Sequence, residues 1–305
     1  MWLLTLCIVS TIVASFLWNF KPFPKEYFYG KYSLDDLLVN QGYTFGKEKY
    51  RFNVNINSEN SLFLALRKFL NSYTDDNTNY IVSLSGGVDS MVTLFLLYNL
   101  VETSRISTAT INYNCRPESK AEAEFVKKFV ERYGIKKYVK NVIGVSRKQN
   151  ENKRKDFEEE SKKVRYELYQ EILKENNWTP NNTIILLGHH KDDLIENIFN
   201  NFMLGRSLDD LTVMKELTTK DCLRFGRPFL NNYKDEIYEL AEIYNIPYFK
   251  DTTPNWSKRG LMRRQIFPLL KKVYPNLNIN LLNQGHCSED INMFLEDNDM
   301  SYKLT

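Results

Sequence analysis

The chain has 305 residues, of which 43% are hydrophobic and 14% aromatic, enough to bury the core of one large domain or two small ones. Its 41 basic and 38 acidic residues leave a formal net charge of +3, which by itself does not indicate a nucleic-acid-binding protein. The four cysteines are far apart and include no Cys-x-x-Cys pair, so they indicate neither a zinc ribbon nor a disulfide framework. They are Cys7, Cys115, Cys222 and Cys287.

The first twenty residues carry no charged side chain, and a helix of that length spans roughly 30 Å of hydrocarbon. Lys21 and Lys25 follow this segment, and basic residues favour the cytoplasmic side of a membrane. We therefore predict a transmembrane anchor at residues 1–20, with the body of the protein membrane-anchored and facing the cytoplasm. A cleaved signal peptide and a buried core helix are the alternative interpretations of the same segment.

Residues 21–75 are predicted to be a connector and N-terminal extension that packs on the body. Up to about residue 60 this segment mixes aromatic residues and glycines without a helical or alternating period. The pattern LFLALRKFL from Leu62 then predicts an amphipathic helix. The predicted main domain occupies residues 76–275, and residues 276–305 form a C-terminal tail.

Within the main domain, short apolar runs alternate with longer amphipathic segments. We predict strands at 80–84, 108–112, 138–142, 184–187 and 223–225, and helices at 91–100, 121–133, 157–175, 193–203 and 233–244. This alternation predicts an α/β fold, doubly wound, whose mostly parallel sheet is covered by helices on both faces. The polar stretch 146–156 interrupts the alternation and is predicted to be a mobile loop.

An apolar strand at residues 80–84 leads directly into the sequence SGGVDS and then into an apolar helix. The two glycines allow a tight turn that brings backbone N–H groups close to phosphate oxygens, and the helix presents its positive dipole end. The segment therefore predicts an anion-binding loop formed by Ser85, Gly86, Gly87, Val88, Asp89 and Ser90. A carboxylate at Asp89 suggests a magnesium ligand, because alone it would repel phosphate.

The sequence GHHKDDLIEN begins directly after the apolar run at 184–187. His189 and His190 therefore lie at the carboxyl end of a strand, where open parallel sheets bind ligands. Asp193 and Glu196 are three residues apart and share one face of the following helix near its amino end. Two carboxylates on that face suit a substrate ammonium, a magnesium ion, or both.

Three arginines are candidates for contacts with triphosphate or RNA, because the guanidinium fork matches phosphate oxygens. They are Arg116, Arg165 and Arg263. For Arg165 a salt bridge within its own helix is an equally good interpretation. A basic cluster near Trp256 is either a solvated helix face or a surface that faces RNA; it comprises Lys258, Arg259, Arg263, Arg264, Lys271 and Lys272.

The SGGVDS loop resembles the pyrophosphate loop of the N-type ATP pyrophosphatases, and the chain contains no Walker pattern ending in Gly-Lys-Ser/Thr. Several further segments resemble those of the lysidine synthases within that superfamily. They are INYNCR with ESKAEAE, VRY, GHHKDDLIEN, RPF and residues 251–268. The sequence departs from the family pattern at Tyr113, Asn197 and Leu261, where His, Thr and Arg are expected. The resemblance covers about residues 78–275.

The resemblance implies a PP-loop ATPase fold, with ATP and Mg²⁺ as the cofactors and tRNA as the partner. A cytidine of tRNA would be adenylated with release of pyrophosphate, and lysine would then displace AMP. The implied catalytic residues are Asp89, Asp193, Glu196 and Arg165, and the implied nucleotide-binding residues are the six of the loop with Asn112, Arg116 and His189. Two alternatives remain open: a tRNA 2-thiolation enzyme of the same superfamily, and a catalytically idle, membrane-tethered nucleotide- or RNA-binding module.

Overall fold

The computed structural model describes the backbone of residues 38–39, 54–113, 119–142, 151–212, 214–250 and 257–297. The predicted anchor at residues 1–20, the first part of the predicted loop at 146–156, and Arg116 lie outside these residues. Within the described ranges, no helix is both long enough and apolar enough to cross a membrane.

Among the described residues, six strands form the central sheet. In chain order they are β2 (Asn79–Ser83), β3 (Ile106–Asn112), β4 (Lys136–Asn141), β5 (Thr183–Leu186), β6 (Leu217–Lys220) and β7 (Leu223–Gly226). Their spatial order is β4-β3-β2-β5-β7-β6. All neighbouring pairs are parallel except β6 and β7, which are antiparallel. The sheet is therefore mixed but mostly parallel, and β2 and β5 lie side by side at its centre.

Helices connect the parallel strands and cover both faces of the sheet. They are α1 (Ser61–Tyr73), α2 (Val88–Tyr98), α3 (Ser119–Arg132), α4 (Glu151–Asn176), α5 (Lys191–Met203), α6 (Lys234–Ile243), α7 (Lys258–Leu261), α8 (Phe267–Val273) and α9 (Leu277–Asp297). A π-helical turn, Met262–Ile266, joins α7 to α8. The five predicted strands and the predicted helices all occur, most with boundaries shifted by one to three residues.

Alternate residues of the central strands enter two separate cores. Tyr80 and Val82 of β2 pack with α1, α2, α3 and α6 in one core. Ile81, between them, packs on the other face with residues of α4 such as Ile172. A buried strand with apolar residues on both faces is the expected partner of helices above and below a parallel sheet. The predicted doubly wound α/β arrangement is thereby confirmed.

Three features differ from the sequence-based expectation. Strand β6 adds an antiparallel edge that was not predicted, because LTTK is short and only partly apolar. Helix α4 begins at Glu151, so the second part of the predicted loop at 146–156 is helical. The loop was predicted from the polarity of this stretch, but its Lys, Arg and Glu residues are good helix formers. The predicted tail contains helix α9, which packs against α5.

A small second sheet lies beside the central one. It pairs β1 (Leu38–Val39) with β8 (Tyr248–Phe249) in antiparallel register, Leu38 opposite Phe249 and Val39 opposite Tyr248. Strand β1 belongs to the predicted N-terminal extension, and β8 belongs to the main domain. Residues 38–39 of the extension are therefore hydrogen-bonded to the main domain.

The contact between β7 and the core yields a stability prediction. A Cβ at Gly226 would lie 2.5 Å from Cζ of Phe69 and 2.9 Å from Cγ2 of Ile184, so Gly226→Ala should lower the free energy of unfolding by about 1–3 kcal/mol through overpacking. Chemical denaturation measures this change, and Thr219→Ala, at an exposed position of the edge strand β6, serves as the control. Unchanged stability of Gly226→Ala would show that the core is looser than the structure indicates.

Candidate nucleotide-binding site

The turn between β2 and α2 has the backbone conformation that the glycines predict. Gly86 has φ of +84°, a left-handed conformation that glycine adopts without the strain a Cβ would bring. Gly87 is the N-cap of α2 and supplies no side-chain cap. The first N–H groups of α2 therefore lack a side-chain cap, which is the arrangement that binds anions at a helix terminus.

Hydrogen bonds inside the loop involve the two serines that sequence analysis assigned to phosphate. The backbone N–H of Ser85 donates to Oγ of Ser90 at 3.2 Å, and that Oγ donates to the carbonyl of Gly87 at 2.9 Å. The Gly87 N–H in turn donates to Oγ of Ser85 at 3.3 Å. Ser90 is buried whereas Ser85 is exposed. Ser90 therefore stabilises the loop itself, and Ser85 is the hydroxyl that faces the cleft.

Asp89 lies in the first turn of α2 and contacts two cationic or titratable side chains. Its Oδ1 accepts a hydrogen bond from Nζ of Lys234 and lies 3.8 Å from Nε2 of His190. Lys234 begins α6, and its backbone N–H donates to Asp192 at 2.9 Å. Lys234 therefore joins the first turn of α2 to the first turn of α5. Lys234 was not predicted as a site residue, because an isolated lysine beside Tyr233 has no diagnostic spacing.

The segment after β5 reaches the same place from the neighbouring strand. A Cβ at Gly188 would lie 2.9 Å from the backbone carbonyl carbon of Asp89, so only glycine allows this close approach. His190 is the N-cap of α5 and is 2% exposed. Its Nε2 lies 3.3 Å from Oδ2 of Asp193. The two segments that the sequence separates by about a hundred residues therefore form one site.

The carboxylates of Asp193 and Glu196 share one face of α5, as predicted, and both are paired with arginines. Asp193 accepts hydrogen bonds from Nη2 of Arg259 and, at 2.6 Å, from Nη2 of Arg263. Glu196 accepts from Nε of Arg263 and lies 3.4 Å from Nε of Arg259. Burial acts to raise the pKa of Asp193, but His190, Arg259 and the other neighbouring basic groups together hold it below its usual range.

His189 is held by a different partner. Nε of Arg227 donates to Nδ1 of His189 at 3.2 Å, so this ring nitrogen is the acceptor and the proton of the neutral ring is on Nε2. Burial lowers the pKa of His189 to about 4, and the positive charge of Arg227 contributes to the lowering. His189 is therefore neutral at physiological pH.

Two further predicted residues are not brought into this cleft. Asn112 is buried at the end of β3, where its Nδ2 donates to Oδ1 of Asn141 at 3.0 Å. Arg165 is exposed on α4, on the opposite face of the sheet from α2 and α3. Neither side chain lines the cleft described below, and neither does that of His189, which was also predicted to bind the nucleotide.

The cleft has a volume of about 540 Å³, which is in the range of small-molecule and cofactor sites. Its walls come from the phosphate loop, from helices α3, α5 and α6, and from described residues between 249 and 278. Among the described residues, five basic side chains line it, those of Lys234, Lys250, Arg259, Arg263 and Lys271, together with the four carboxylates of Asp89, Glu122, Asp192 and Glu196. Of the five basic residues, Lys234 and Lys250 were not predicted, whereas the other three belong to the basic cluster seen in the sequence.

A glycine loop after the central strand, an uncapped helix terminus and a basic cleft together define a nucleotide-binding α/β domain. The family model of the PP-loop domain matches residues 59–270. The chain belongs to the PP-loop family.

Among curated proteins, the chain is similar to tRNA(Ile)-lysidine synthases. It is 29% identical to that of Wolbachia pipientis wMel over 72% of this chain and 48% of the relative. It is 30% identical to that of Chlamydia caviae over 74% of this chain and 68% of the relative. The chain thus spans about half of the length of the first relative and about two thirds of the second.

Among solved structures, the fold is similar to that of the U34-tRNA thiolase NcsA from Methanococcus maripaludis. The TM-score is 0.54 at 19% identity, and the match covers 76% of this chain and 79% of that chain. At this identity the likeness concerns the fold alone.

The depressed pKa of His189 predicts a pH dependence of stability. Between about pH 4 and 6.5 the unfolded chain binds a proton at His189 that the folded chain does not, so stability falls as the pH falls through this window. The loss should be on the order of 2–3 kcal/mol. Denaturant midpoints measured from pH 7 to 4 should show a shallower decline for His189→Asn than for the wild type. The control His286→Asn, at an exposed position, should retain the wild-type slope; equal slopes in all three proteins would contradict the assignment.

Proposed function

We propose that this chain is an ATP-dependent ligase that adenylates a cytidine base in tRNA and joins it to lysine. The observation that carries the proposal is that the phosphate loop and Glu196 of α5 line one cleft, with the buried carboxylate of Asp193 beside Glu196 and bound to the same two arginines. The similarity to tRNA(Ile)-lysidine synthases supports the same reaction class.

The loop is suited to the β- and γ-phosphates of ATP. Backbone N–H groups at the start of α2 and the hydroxyl of Ser85 are the donors, and Lys234 brings a positive charge next to Asp89. Lys250 and Lys271 line the same cleft. Positioning and electrostatic relief of this kind are the main contributions a protein makes to reactions at phosphorus.

Asp89 is the residue that would hold Mg²⁺. Its contacts with Lys234 and His190 both use Oδ1, and 30% of its side chain is exposed. A cation could therefore be held by Oδ2 without loss of either contact. Mg²⁺ commonly takes one or two carboxylates together with substrate phosphates, and it would neutralise the charge of the triphosphate there.

In the first half-reaction, a cytidine oxygen attacks the α-phosphorus and pyrophosphate leaves. The resulting adenylate makes the attached ring carbon electrophilic. In the second half-reaction, the amine of lysine attacks that carbon, AMP leaves with the oxygen, and the amine gives up a proton. Both steps need the nucleophile and the leaving group to be fixed in one water-poor cleft.

The ion pairs on α5 bear on how lysine would be held. Asp193 and Glu196 are paired with Arg259 and Arg263, so the charges of these four side chains balance before any substrate binds. Lysine carries both carboxylate and ammonium groups. Its carboxylate can take the place of a protein carboxylate beside an arginine, and an ammonium group can take the place of an arginine beside a protein carboxylate. Arg259 is the partner suited to move, because its side chain is 52% exposed whereas that of Arg263 is 24% exposed.

Sulfur delivery is the competing function. It requires an accessible thiolate or persulfide near the adenylate. Cys222 and Cys287 are exposed but do not line the cleft, and Cys115 lies outside the described residues. The residues that line the cleft therefore support lysine, rather than a sulfur donor, as the second substrate.

Binding of tRNA and attachment to a membrane are further parts of the proposal. The basic residues that line the cleft continue onto exposed Lys258 and Lys272, which suits an RNA backbone. The uncharged segment 1–20 supports a membrane anchor with the ligase on the cytoplasmic side. Partition of the full-length protein between membrane and soluble fractions tests the anchor.

The loop assignment is tested by pyrophosphate release. Asp89→Ala should reduce ATP- and tRNA-dependent release by about 100-fold or more, because it removes the carboxylate that would hold Mg²⁺ against the phosphates. Ser90→Ala should have a similar effect through loss of the loop's internal hydrogen bonds. Asp76→Ala, at an exposed position remote from the cleft, is the control. Wild-type turnover in Asp89→Ala with the fold preserved would rule out the proposed role of the loop.

The second substrate is tested by separating the two half-reactions. Glu196→Gln should weaken the use of lysine by about 1.5–3 kcal/mol, or roughly 10- to 150-fold, and largely spare adenylate formation. Glu239→Gln, an exposed change on α6, is the matched control. Cys115→Ser and Cys222→Ser should retain activity. If the cysteine variants are inactive while Glu196→Gln keeps wild-type activity, the protein delivers sulfur and the proposed use of lysine is wrong.

A further inference from the structure

Strand β8 (Tyr248–Phe249) lies against the phosphate loop. The backbone N–H of Phe249 donates to the carbonyl of Gly86 at 2.9 Å, and Phe249 forms a parallel bridge with Gly87. These are contacts to the two residues that give the loop its turn. The backbone of β8 is therefore hydrogen-bonded to the loop and packs beside it.

The ring of Phe249 supports the same turn by packing. A Cβ at Gly86 would lie 2.8 Å from Cδ2 of Phe249 and 3.0 Å from Cγ2 of Val126. The ring is 5% exposed and makes an edge contact with Phe125, with centroids 5.3 Å apart. A close-packed ring at this place limits the space into which Gly86 can relax.

The other edge of β8 is covered by the N-terminal extension. Successive residues of a strand direct their N–H and C=O groups to opposite edges. Because the backbone N–H of Phe249 points to the loop, the backbone N–H and C=O of Tyr248 point to β1, where the residue opposite Tyr248 is Val39. Strand β8 has two residues and is thus held between the phosphate loop on one edge and β1 on the other.

We propose that the N-terminal extension positions the phosphate loop: β1 holds β8, and β8 holds Gly86 and Gly87 in the conformation that receives the nucleotide phosphates. Phe249 also lines the cleft, but in this account it is a positioning residue, because its contacts with Gly86 and Gly87 act through the loop. The affinity for ATP then depends on a segment far from the SGGVDS motif in sequence. The inference requires nucleotide binding at the loop but neither tRNA nor lysine.

The test uses the full-length protein with a proline at position 39. Val39→Pro removes the N–H that faces Tyr248, whereas the matched control Val39→Ala keeps it. Hydrogen exchange without nucleotide should become at least 5-fold faster in peptides covering 84–90 and 245–250 for Val39→Pro. Peptides covering β4 should be unchanged, and Val39→Ala should resemble the wild type. Titration calorimetry with Mg·ATP should show about 10-fold weaker binding for Val39→Pro.

A second variant keeps β1 intact. Phe249→Leu retains the backbone bonds of β8 but removes the ring beside Gly86, and it should weaken Mg·ATP binding and raise KM for ATP more than it lowers kcat. Unchanged exchange at 84–90 in Val39→Pro would overturn the inference, and so would faster exchange throughout the molecule, which would show a general structural role. Failure of wild-type protein to bind Mg·ATP would instead refute the proposed function, because the exchange measurement contains no nucleotide.

Discussion

The close approach of two backbone segments at the centre of the sheet determines the geometry of the site. Strands β2 and β5 are parallel neighbours, so the chain leaves both at the same edge. The turn after β2 begins α2, and Gly188 after β5 allows the backbone of Asp89 to approach closely. Because both helices start at this contact, Asp89, His190 and Asp193 are brought within reach of one another. The cleft lies next to this contact and is lined by residues that follow both strands.

The electrostatics of the cleft follow from this crowding. Three aspartates lie in the first turns of two helices, where negative charge is favoured by the helix dipole. Each has a partner from a later part of the chain: Asp89 is paired with the ammonium group of Lys234, Asp193 is paired with Arg259, and Asp192 accepts a hydrogen bond from the backbone N–H of Lys234. An anionic nucleotide and a zwitterionic amino acid can both enter such a site by exchange of partners, without an uncompensated buried charge.

The five parallel strands of the central sheet and the helices between them could be predicted from periodicity, because apolar runs alternate with amphipathic segments; the edge strand β6 could not, because it is short and only partly apolar. The loop and the Asp193–Glu196 face were predictable because local spacing determines which residues share a turn or a helix face. Lys234 and Phe249 were not predicted, since their importance arises from contacts across the fold that no local pattern records. The pairing of Asp193 and Glu196 with arginines was also missed for this reason: Arg263 was assigned to phosphate or RNA, and its position opposite α5 depends on the π-helical turn after α7.

The central claim is that this cleft joins lysine to an adenylated base, and analysis of nucleosides tests it most directly. Unmodified tRNA is incubated with the full-length protein, ATP, Mg²⁺ and lysine labelled with a heavy isotope, then digested and analysed by mass spectrometry. The account predicts a cytidine derivative whose mass has increased by lysine minus water and which carries the isotope label. It also predicts that this product is absent without ATP. A thiolated nucleoside in the presence of a sulfur donor, with no lysine adduct, would contradict the account.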